Sequence, residues 1–360
     1  MTWSVPLWLG CKMNLYDRRG YLNIPEILKC KQPFIFVVGG RGTGKTFGAL
    51  REARRRYRAT GARFMLLRRM QSQVDLINKP EYSPFKAVDR IDHQCTVSRS
   101  LSKYTAGFYD GQLDEHGAPQ VTGDCIGYTC ALSTISNMRG FDASDVDLII
   151  FDEFIPEAHE RPIKNEASAL FNAYETINRN RELDGAAPCQ LLCLANANDL
   201  GNPVFLELGL VRKAESMRRK GQEVYIDPKR GICMIILQKS PISHEKTATA
   251  LYKLAKDGEY SQMAIGNTFA GAGENRIQSI PLHQLVPVVT VGELTAYRIK
   301  GQKDYYFSTH PSGNPPHYGT GPSELRRFKV AFSWLWEAYM QRRVVFEERL
   351  CEILLLKYLT

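Results

Sequence analysis

The sequence has nine cysteines but no Cys-x-x-Cys pair, and no apolar run approaches the length of a membrane span. This spacing indicates neither a zinc site nor a disulfide framework, and a reducing, cytosolic compartment fits it best. The apolar stretch at residues 1–9 has no basic segment before it and no long apolar core after it, so a secretory leader is not expected. Met13 is a sensible alternative start, which would make residues 1–12 a dispensable extension.

Carboxylates are scarce in the last quarter of the chain. From Arg276 to Thr360 the only aspartate is Asp304, and most of the glutamates fall in the predicted final helical segment. A nuclease that uses two metal ions needs several carboxylates around them. We therefore expect no nuclease activity from this part of the chain.

What is present is ordinary for a soluble globular protein: 44% of the 360 residues are hydrophobic and 24% are charged. This length accommodates a large domain and a smaller one. The net charge of +9 and the pI near 9.0 favour a polyanionic partner, although a solvated basic surface explains them equally well.

A glycine-rich segment follows the apolar run 34–38 and matches G-x-x-x-x-G-K-[ST], the phosphate-binding loop of nucleotide triphosphatases. Four fixed positions would coincide by chance in such a chain only on the order of 1 time in 100. The predicted ATP-binding residues are Gly39, Gly40, Arg41, Gly42, Thr43, Gly44, Lys45 and Thr46. Glycines let backbone N–H groups surround phosphates, and a helix beginning near Lys45 would point its positive end at them. Lys45 would reach the β- and γ-phosphates, and the Thr46 hydroxyl would bind Mg²⁺.

Two adjacent carboxylates, Asp152 and Glu153, end the apolar run 146–151. In the presence of a phosphate-binding loop, this pair predicts a hydrolytic site, with Asp152 as a metal ligand and Glu153 as the base that orients water. Asn196 follows the next apolar run, 191–195, where a polar sensor of the γ-phosphate is expected. An asparagine after a strand is also a common turn residue.

Strand patterns alternate with helical ones up to about residue 205, which predicts an α/β fold with a central parallel sheet. Short apolar pieces between residues 95 and 132 suggest hairpins inserted between core strands. We expect an N-terminal extension over 1–23, a P-loop ATPase domain of the additional-strand (ASCE) class over 24–241, a helical linker or hinge over 242–275, and a small α+β domain over 276–360 that ends in one or two helices over 325–359.

Several motifs together resemble the DNA encapsidation (packaging) ATPases of phi-29-like small tailed bacteriophages. The similarity spans most of the chain, and its specific motifs lie between residues 34 and 205. Besides the phosphate-binding loop, the matching motifs are Leu67-Arg68-Arg69, Phe151-Asp152-Glu153-Phe154-Ile155-Pro156-Glu157, Asn165 to Leu170, Asn178-Arg179-Asn180-Arg181-Glu182, Cys193 to Ala197 and Asn202 to Phe205.

The resemblance implies a homomeric ring, most often a pentamer, that docks on the portal of an empty prohead and pumps double-stranded DNA inward at the expense of ATP. It also implies contact with a structural RNA on the prohead and a place in the host bacterial cytoplasm, without secretion or a membrane. Its C-terminal domain would be a vestigial RNase-H-like nuclease that binds nucleic acid without cutting it. Two alternatives stay open: another P-loop translocase or helicase, and a complete terminase with an active nuclease.

The resemblance also assigns residues that would act on a neighbouring subunit. The family's arginine finger falls on Arg179, with Arg181 as the alternative, and a second trans-acting basic residue falls on Arg139. Gln71 stands where the best-known member has a lysine that contributes to nucleotide exchange.

Basic and aromatic residues alternate in the C-terminal part of the chain. Arg298, Lys300 and Lys303, interleaved with Tyr297, Tyr305 and Tyr306, form a candidate nucleic-acid surface. A solvated basic strand face is the other interpretation.

Overall fold

The computed structural model describes residues 13–138, 140–156, 160, 163–196, 200–238, 241–242, 249–254 and 276–359. The chain divides into two compact units, one formed by Met1–Glu207 and Met217–Ala270 and the other by Leu208–Ser216 and Gly271–Thr360. Most of the predicted linker, including the expected hinge at 269–273, lies outside the described residues.

The larger unit alternates strands and helices as the sequence pattern predicts. In chain order its elements are α1 Ile24–Leu28, β1 Phe34–Val38, α2 Lys45–Thr60, β2 Arg63–Arg68, α3 Gln71–Ile77, α4 Lys86–Asp92, β3 Thr96–Ser100, β4 Thr105–Leu113, β5 Pro119–Ala131, β6 Val146–Asp152, α5 Glu166–Asn178, β7 Gln190–Ala195, α6 Pro203–Glu207, α7 Val211–Lys220, β8 Val224–Asp227, β9 Ile232–Ile236 and α8 Ala250–Leu254. Residues 211–216 of α7 belong to the smaller unit.

Nine strands of the described residues form one sheet in the order β3-β4-β5-β2-β6-β7-β1-β9-β8. Neighbours from β5 to β9 are parallel, and antiparallel pairs close both edges. The insertion predicted over 95–132 is thus an antiparallel meander whose last strand, β5, joins the parallel core. Because β7 lies between β1 and β6, an additional strand separates the loop-bearing strand from the acidic one. The α/β class and the additional strand are confirmed.

The central strands are apolar because both faces of the sheet are covered. Ile35, Val37, Leu192 and Leu194 are fully buried or nearly so and share one hydrophobic core with helices α1 and α2. Helix α2 ends where predicted, at Gly61, whose positive φ of 76° is the left-handed C-cap that glycine adopts without strain. Parallel strands buried in this way place all their carboxyl ends, and the loops that follow them, at one edge.

The smaller unit is α+β. Its elements are β10 Leu285–Val291, β11 Leu294–Ile299, β12 Tyr305–Ser308, β13 His317–Tyr318, α9 Pro322–Ala331, α10 Trp334–Met340, β14 Val344–Phe346 and α11 Arg349–Leu359. The strand order is β13-β10-β11-β12-β14, with β10 to β12 antiparallel and β13 and β14 added in parallel.

The sequence predicts one or two helices over 325–359, and the structure differs from this prediction. Three helices are present, and β14 interrupts them. Arg342, with φ of 58°, ends the helical path, and Val344, Val345 and Phe346 pair with β12 instead. Two valines and a phenylalanine suit a strand better than a helix interior. None of the helices in the described part of the chain has the length and apolarity that crossing a bilayer requires.

Candidate active site

The phosphate-binding loop connects β1 to α2 at the carboxyl edge of the sheet. Gly42 and Gly44 have φ of 66° and 85°, a conformation that glycine adopts at little cost. A Cβ on Gly39 would lie 2.5 Å from the Leu237 side chain, so no larger residue fits there. The loop therefore needs its glycines for backbone shape and for packing.

Residues just before α1 pack against this loop. The Leu22 N–H donates to the Thr43 carbonyl at 2.9 Å, and Tyr21 lies against Gly44. Leu15 and Leu22 are buried in the same core as β1. From Leu15 onward, the predicted N-terminal extension thus contributes to the ATPase unit.

Lys45 lies inside the loop with 7% of its surface exposed. Its Nζ donates to the carbonyls of Gly39 and Gly40 at 2.9 and 2.7 Å. It also lies 3.4 Å from Oδ1 of Asn196, which follows β7. The structure thus brings the predicted sensor beside the predicted phosphate-binding lysine, although these residues are 151 positions apart.

Thr46, in the first turn of α2, contacts Asp152, at the end of β6. The Thr46 hydroxyl lies 3.0 Å from both carboxylate oxygens of Asp152, which is only 3% exposed. A hydroxyl and a carboxylate at this position are hard oxygen donors of the kind Mg²⁺ prefers. The donor set therefore fits the Mg²⁺ that the loop motif implies.

Glu153 follows at the end of β6 with φ of 59°, in the left-handed region where a residue with a side chain is strained. Of its side chain, 47% is exposed. Glu153 is one of five non-glycine residues with positive φ in the described ranges; Arg179 is another. Both were predicted as catalytic, and strain of this kind is often found at functional sites.

Arg68 joins the two acids and was not predicted as a site residue. Its Nη1 lies 3.2 Å from Asp152 Oδ2 and 3.1 Å from Glu153 Oε2. It ends β2, the strand beside β6, so its side chain reaches the same edge of the sheet. The sequence pattern that points to Arg68 is Leu67-Arg68-Arg69, an arginine pair at the end of an apolar strand.

Arg69, the next residue, links the end of β2 to the start of α5. It is fully buried and forms a two-pronged ion pair with Glu166, at 2.7 and 2.9 Å, and a third contact with Glu160. Burial alone would lower the pKa of its guanidinium, but hydrogen bonds and charge from Glu166 and Glu160 raise it. The start of α5 is therefore tied to β2, directly behind Arg68.

Gln71, at the start of α3, is held by two polar contacts. Its side chain donates to Asp75 at 2.9 Å and accepts from the Thr134 hydroxyl at 2.8 Å. These contacts use both ends of the amide, which a lysine at this position could not reproduce because it has no acceptor.

Arg179 lies at the opposite edge of the sheet from the phosphate-binding loop. It caps the C-terminus of α5, and its guanidinium contacts the Phe141 carbonyl at 3.0 Å and Asp142 at 3.6 Å, just before β6 begins. The seven residues of β6 then span about 20 Å to Asp152. Arg179 therefore cannot reach the nucleotide site of its own subunit. Arg139 lies outside the described residues.

The C-terminal candidates divide into two groups. Arg298, Lys300 and Lys303 are exposed, as a nucleic-acid surface requires. Tyr297 and Tyr306, however, are 1% and 2% exposed and form a buried hydrophobic cluster of the smaller unit with Leu285 and Ile299. The prediction that these two tyrosines share the surface is wrong, because alternate residues of a strand face opposite sides and theirs is the buried one.

A second pair of adjacent carboxylates, Glu347 and Glu348, follows β14. Glu347 accepts from the Ser308 hydroxyl at 2.6 Å and lies 2.9 Å from His310 Nδ1. Glu348 pairs with Arg212 at 2.7 Å. Within the described ranges, no three His, Cys, Asp or Glu side chains come together as a group that could hold a metal ion.

The additional strand, the glycine loop and the Thr46–Asp152–Glu153 arrangement define a P-loop ATPase of the additional-strand class. Residues 16–280 match the profile of the Podovirus DNA encapsidation protein (Gp16) family. The chain belongs to this family, and its recognition from sequence is confirmed.

Relatives agree with this membership, and a solved structure has a similar fold. The chain is 28% identical over 256 residues to the DNA packaging proteins of Bacillus phages phi29 and PZA, a match that covers 71% of this chain and 68% of theirs. Its fold is similar to that of a chain in the bacteriophage Phi-29 viral genome packaging motor assembly, with a TM-score of 0.64 and 19% identity, over 94% of this chain and 99% of that one.

Proposed function

We propose that this chain is the motor subunit that hydrolyses ATP to move double-stranded viral DNA through the portal into a preformed prohead. As a member of the encapsidation family it is a DNA packaging ATPase. One observation supports the proposal that ATP is hydrolysed between subunits. The phosphate-binding loop, Asp152 and Glu153 lie at the carboxyl edge of the sheet, whereas Arg179 lies at the amino edge. A site divided in this way is completed only by a second subunit.

Hydrolysis would use the residues of the carboxyl edge. Lys45 supplies the positive charge for the β- and γ-phosphates of ATP. Thr46 and Asp152 would hold Mg²⁺, which when bound neutralises phosphate charge. Glu153 would orient the attacking water and accept its proton, and Asn196 would sense the γ-phosphate.

Assembly of a ring would bring Arg179 of one subunit to the nucleotide site of its neighbour. An arginine aimed at the γ-phosphate of a neighbour stabilises the charge that develops there, and it needs access to solvent before assembly. The side chain of Arg179 is 47% exposed, and its guanidinium contacts the Phe141 carbonyl and the exposed Asp142. Arg181 is more buried and donates to the Ser144 carbonyl at 2.6 Å. This contrast favours Arg179 over Arg181 as the finger.

The remaining partners are inferred from the family resemblance. They are a homomeric ring with five subunits, the portal of the prohead, double-stranded DNA and a prohead RNA, all met in the host bacterial cytoplasm. DNA contacts should involve backbone phosphates, because a motor must grip every base pair, and affinity should fall steeply with salt. The exposed Arg298, Lys300 and Lys303 are the candidate contacts in the smaller unit.

We infer that the smaller unit does not cut DNA. Its adjacent carboxylates, Glu347 and Glu348, are engaged by Ser308, His310 and Arg212, an arrangement that serves structure. Incubation of supercoiled DNA with the protein and Mg²⁺ or Mn²⁺ should leave it intact. Nicking that disappears in Glu347→Gln would make the chain a complete terminase.

Mixing two inactive variants tests the division of the site. Arg179→Ala keeps its loop and acids, whereas Glu153→Gln keeps its arginine, so mixed rings should regain ATP hydrolysis at some interfaces. An arginine finger contributes about 10³- to 10⁵-fold in rate, so sparse rescue is measurable. The control is Arg181→Ala, which should retain most of its activity alone.

Absence of rescue at every ratio, with rings present, would contradict the trans role. Prohead-dependent ATPase that yields nuclease-protected DNA separates packaging from the helicase alternative, which would unwind DNA without proheads.

A further inference from the structure

Two cysteine thiols lie side by side where the end of α1 packs near β9. Cys30 follows α1, is partly exposed, and packs against the hydrophobic core that contains the fully buried Cys233. The two side chains share a hydrogen bond although they are far apart in the sequence. Their sulfur atoms are therefore neighbours, one within reach of solvent and the other inside the protein.

Hydrogen-bonded backbone holds both cysteines. The Cys30 N–H donates to the Ile27 carbonyl at 3.0 Å, and the Cys30 carbonyl accepts from the side chain of Gln190 at 3.0 Å. Cys233 lies in β9, which is paired with β1 on one side and with β8 on the other. These bonds keep the two thiols close to each other.

Hydrogen bonds to its sulfur set Cys30 apart from the other cysteines. They lower the pKa of the Cys30 thiol against the opposing effect of burial, and the largest contribution comes from the Cys233 thiol, which donates to it. Donating this bond, together with burial, raises the pKa of Cys233. In the other six cysteines within the described ranges, burial raises the pKa. In this part of the chain, Cys30 therefore has the most thiolate character, and the thiolate is the form that oxidants attack.

We propose that Cys30 and Cys233 form a redox site that a hydroperoxide converts reversibly into an intramolecular disulfide. A partly exposed thiolate beside a second thiol is the arrangement in which a sulfenic acid condenses to a disulfide. The chemistry needs neither ATP turnover nor ring assembly, so it stands apart from the proposed packaging function.

The oxidation proceeds in two steps. The Cys30 thiolate attacks the hydroperoxide, the O–O bond breaks, and Cys30 becomes a sulfenic acid while the other oxygen takes a proton from solvent and leaves as water or an alcohol. The Cys233 sulfur then attacks the sulfenic sulfur, the S–S bond forms, and the hydroxyl leaves as water with the Cys233 proton. The two thiols lose two electrons, and the hydroperoxide takes both.

The disulfide would join two segments that flank β1. Cys30 lies between α1 and β1, and Leu237, one residue after β9, lies against Gly39 of the phosphate-binding loop. A cross-link between these segments restricts the unfolded chain, so oxidation should stabilise the larger unit. Because one sulfur is partly exposed, a dithiol should reduce the bond again.

Peptide mapping of the oxidised wild-type chain tests the site directly. Trypsin releases each cysteine in its own peptide, residues 30–31 and residues 231–239. After brief treatment with hydrogen peroxide and blocking of free thiols with iodoacetamide, the monomer should yield these two peptides joined by a disulfide, and dithiothreitol should separate them. Recovery of both cysteines in alkylated form, or of Cys30 joined to another cysteine, would overturn the proposal.

Single substitutions test the order of the two steps. Cys233→Ser lacks the second thiol, so its Cys30 should accumulate as a sulfenic acid that dimedone traps. Cys30→Ser should leave Cys233 unreacted, because Cys233 is fully buried. The matched control is Cys125→Ser, which should form the disulfide as wild type does. Cys125 is also partly exposed, but burial raises its pKa, so dimedone should label Cys30 at least about 10-fold faster than Cys125.

Binding of a fluorescent ADP analogue checks that each variant is folded, and the wild-type peptide map decides alone if Cys233→Ser is not. The Tm of the wild-type protein should rise on oxidation and return on reduction, whereas the Tm of Cys30→Ser should not respond. Dimedone labelling of Cys125 in preference to Cys30 would contradict the assignment of the reactive thiol, and so would an equal Tm response in Cys30→Ser.

Discussion

Each unit of this protein has a β-strand that leads into two carboxylates, but the two pairs have different surroundings. Asp152 contacts Thr46 of the phosphate-binding loop and shares Arg68 with Glu153, whereas Glu347 and Glu348 are bound by Ser308, His310 and Arg212. The first pair stands beside Lys45 and Thr46, groups that bind anions and metals. The comparison teaches that an acidic pair becomes a candidate for catalysis through the phosphate- and metal-binding residues beside it, and not through its sequence alone.

The backbone reinforces this contrast. Glu153 adopts a φ of 59° and keeps nearly half its side chain in solvent. The side chain of Glu347 is 25% exposed and is bound at both oxygens by Ser308 and His310. One carboxylate is held at a cost in backbone strain, and the other is stabilised by its contacts.

The largest expected effect comes from removing the lysine of the phosphate-binding loop, a motif that only the larger unit has. Lys45→Ala should abolish ATP binding and turnover, because the loop loses the cation that neutralises the phosphates. Binding of a fluorescent ATP analogue and phosphate release measure the two losses. Lys357→Ala on α11 is the control and should leave both unchanged. Retention of tight ATP binding by Lys45→Ala would move the nucleotide site elsewhere.

Matched acid-to-amide changes compare the two pairs directly. Glu153→Gln should bind ATP and lose about 10²- to 10⁴-fold in turnover, since the base is gone while Asp152 remains. Glu347→Gln should hydrolyse ATP like wild type. Single-turnover hydrolysis with bound ATP is the measurement. Near-normal turnover in Glu153→Gln would transfer the role of base to another acid, with Glu157 tested first.

A smaller effect is expected from Arg68, which bridges Asp152 and Glu153. Arg68→Ala should lower kcat by roughly 10- to 150-fold, because a hydrogen bond to charged groups contributes roughly 1.5–3 kcal/mol, while KM changes little. Arg68→Lys should recover activity only in part, since an ammonium cannot reproduce the planar guanidinium. A large rise in KM with constant kcat would make Arg68 an ATP-binding residue instead.

The core of the site could be predicted from sequence because its groups follow strands. Loops after parallel strands meet at one edge, so the Gly39–Thr46 loop, Asp152 and Asn196 could be placed together before the structure was known. Arg68 also follows this rule, but arginines at strand ends are common on surfaces, and its bridge depends on the register of β2 against β6.

Other features depend on tertiary context. The surface prediction for Tyr297 and Tyr306 fails because the alternation of residues in β11 and β12 does not say which face of the sheet is covered. The positive φ of Glu153 and Arg179 has no signal in residue type, since neither is glycine, asparagine or aspartate.

The smallest expected effect concerns the second acidic pair and its dependence on pH. Burial alone would raise the pKa of the Glu347 carboxyl, but hydrogen bonds from Ser308 and His310 lower it below its usual value of 4.5. A carboxyl whose folded pKa is depressed stabilises the fold above the unfolded pKa and loses that contribution as the pH falls through the folded value. The smaller unit should therefore be less stable in acid than at neutral pH, by less than about 1 kcal/mol from this group, because solvent screens it.

Tryptophan fluorescence measures this loss, because the four tryptophans are Trp3, Trp8, Trp334 and Trp336. In a Trp3→Phe, Trp8→Phe background the signal comes from α10 alone, within the smaller unit. Denaturant unfolding at pH 7 and pH 4 should show a smaller acid loss in Glu347→Gln than in its parent, since the amide does not titrate. An equal or larger loss in Glu347→Gln would mean that other groups govern the acid sensitivity of this unit, and that Glu347 is not stabilised by the contacts that set it apart from Glu153.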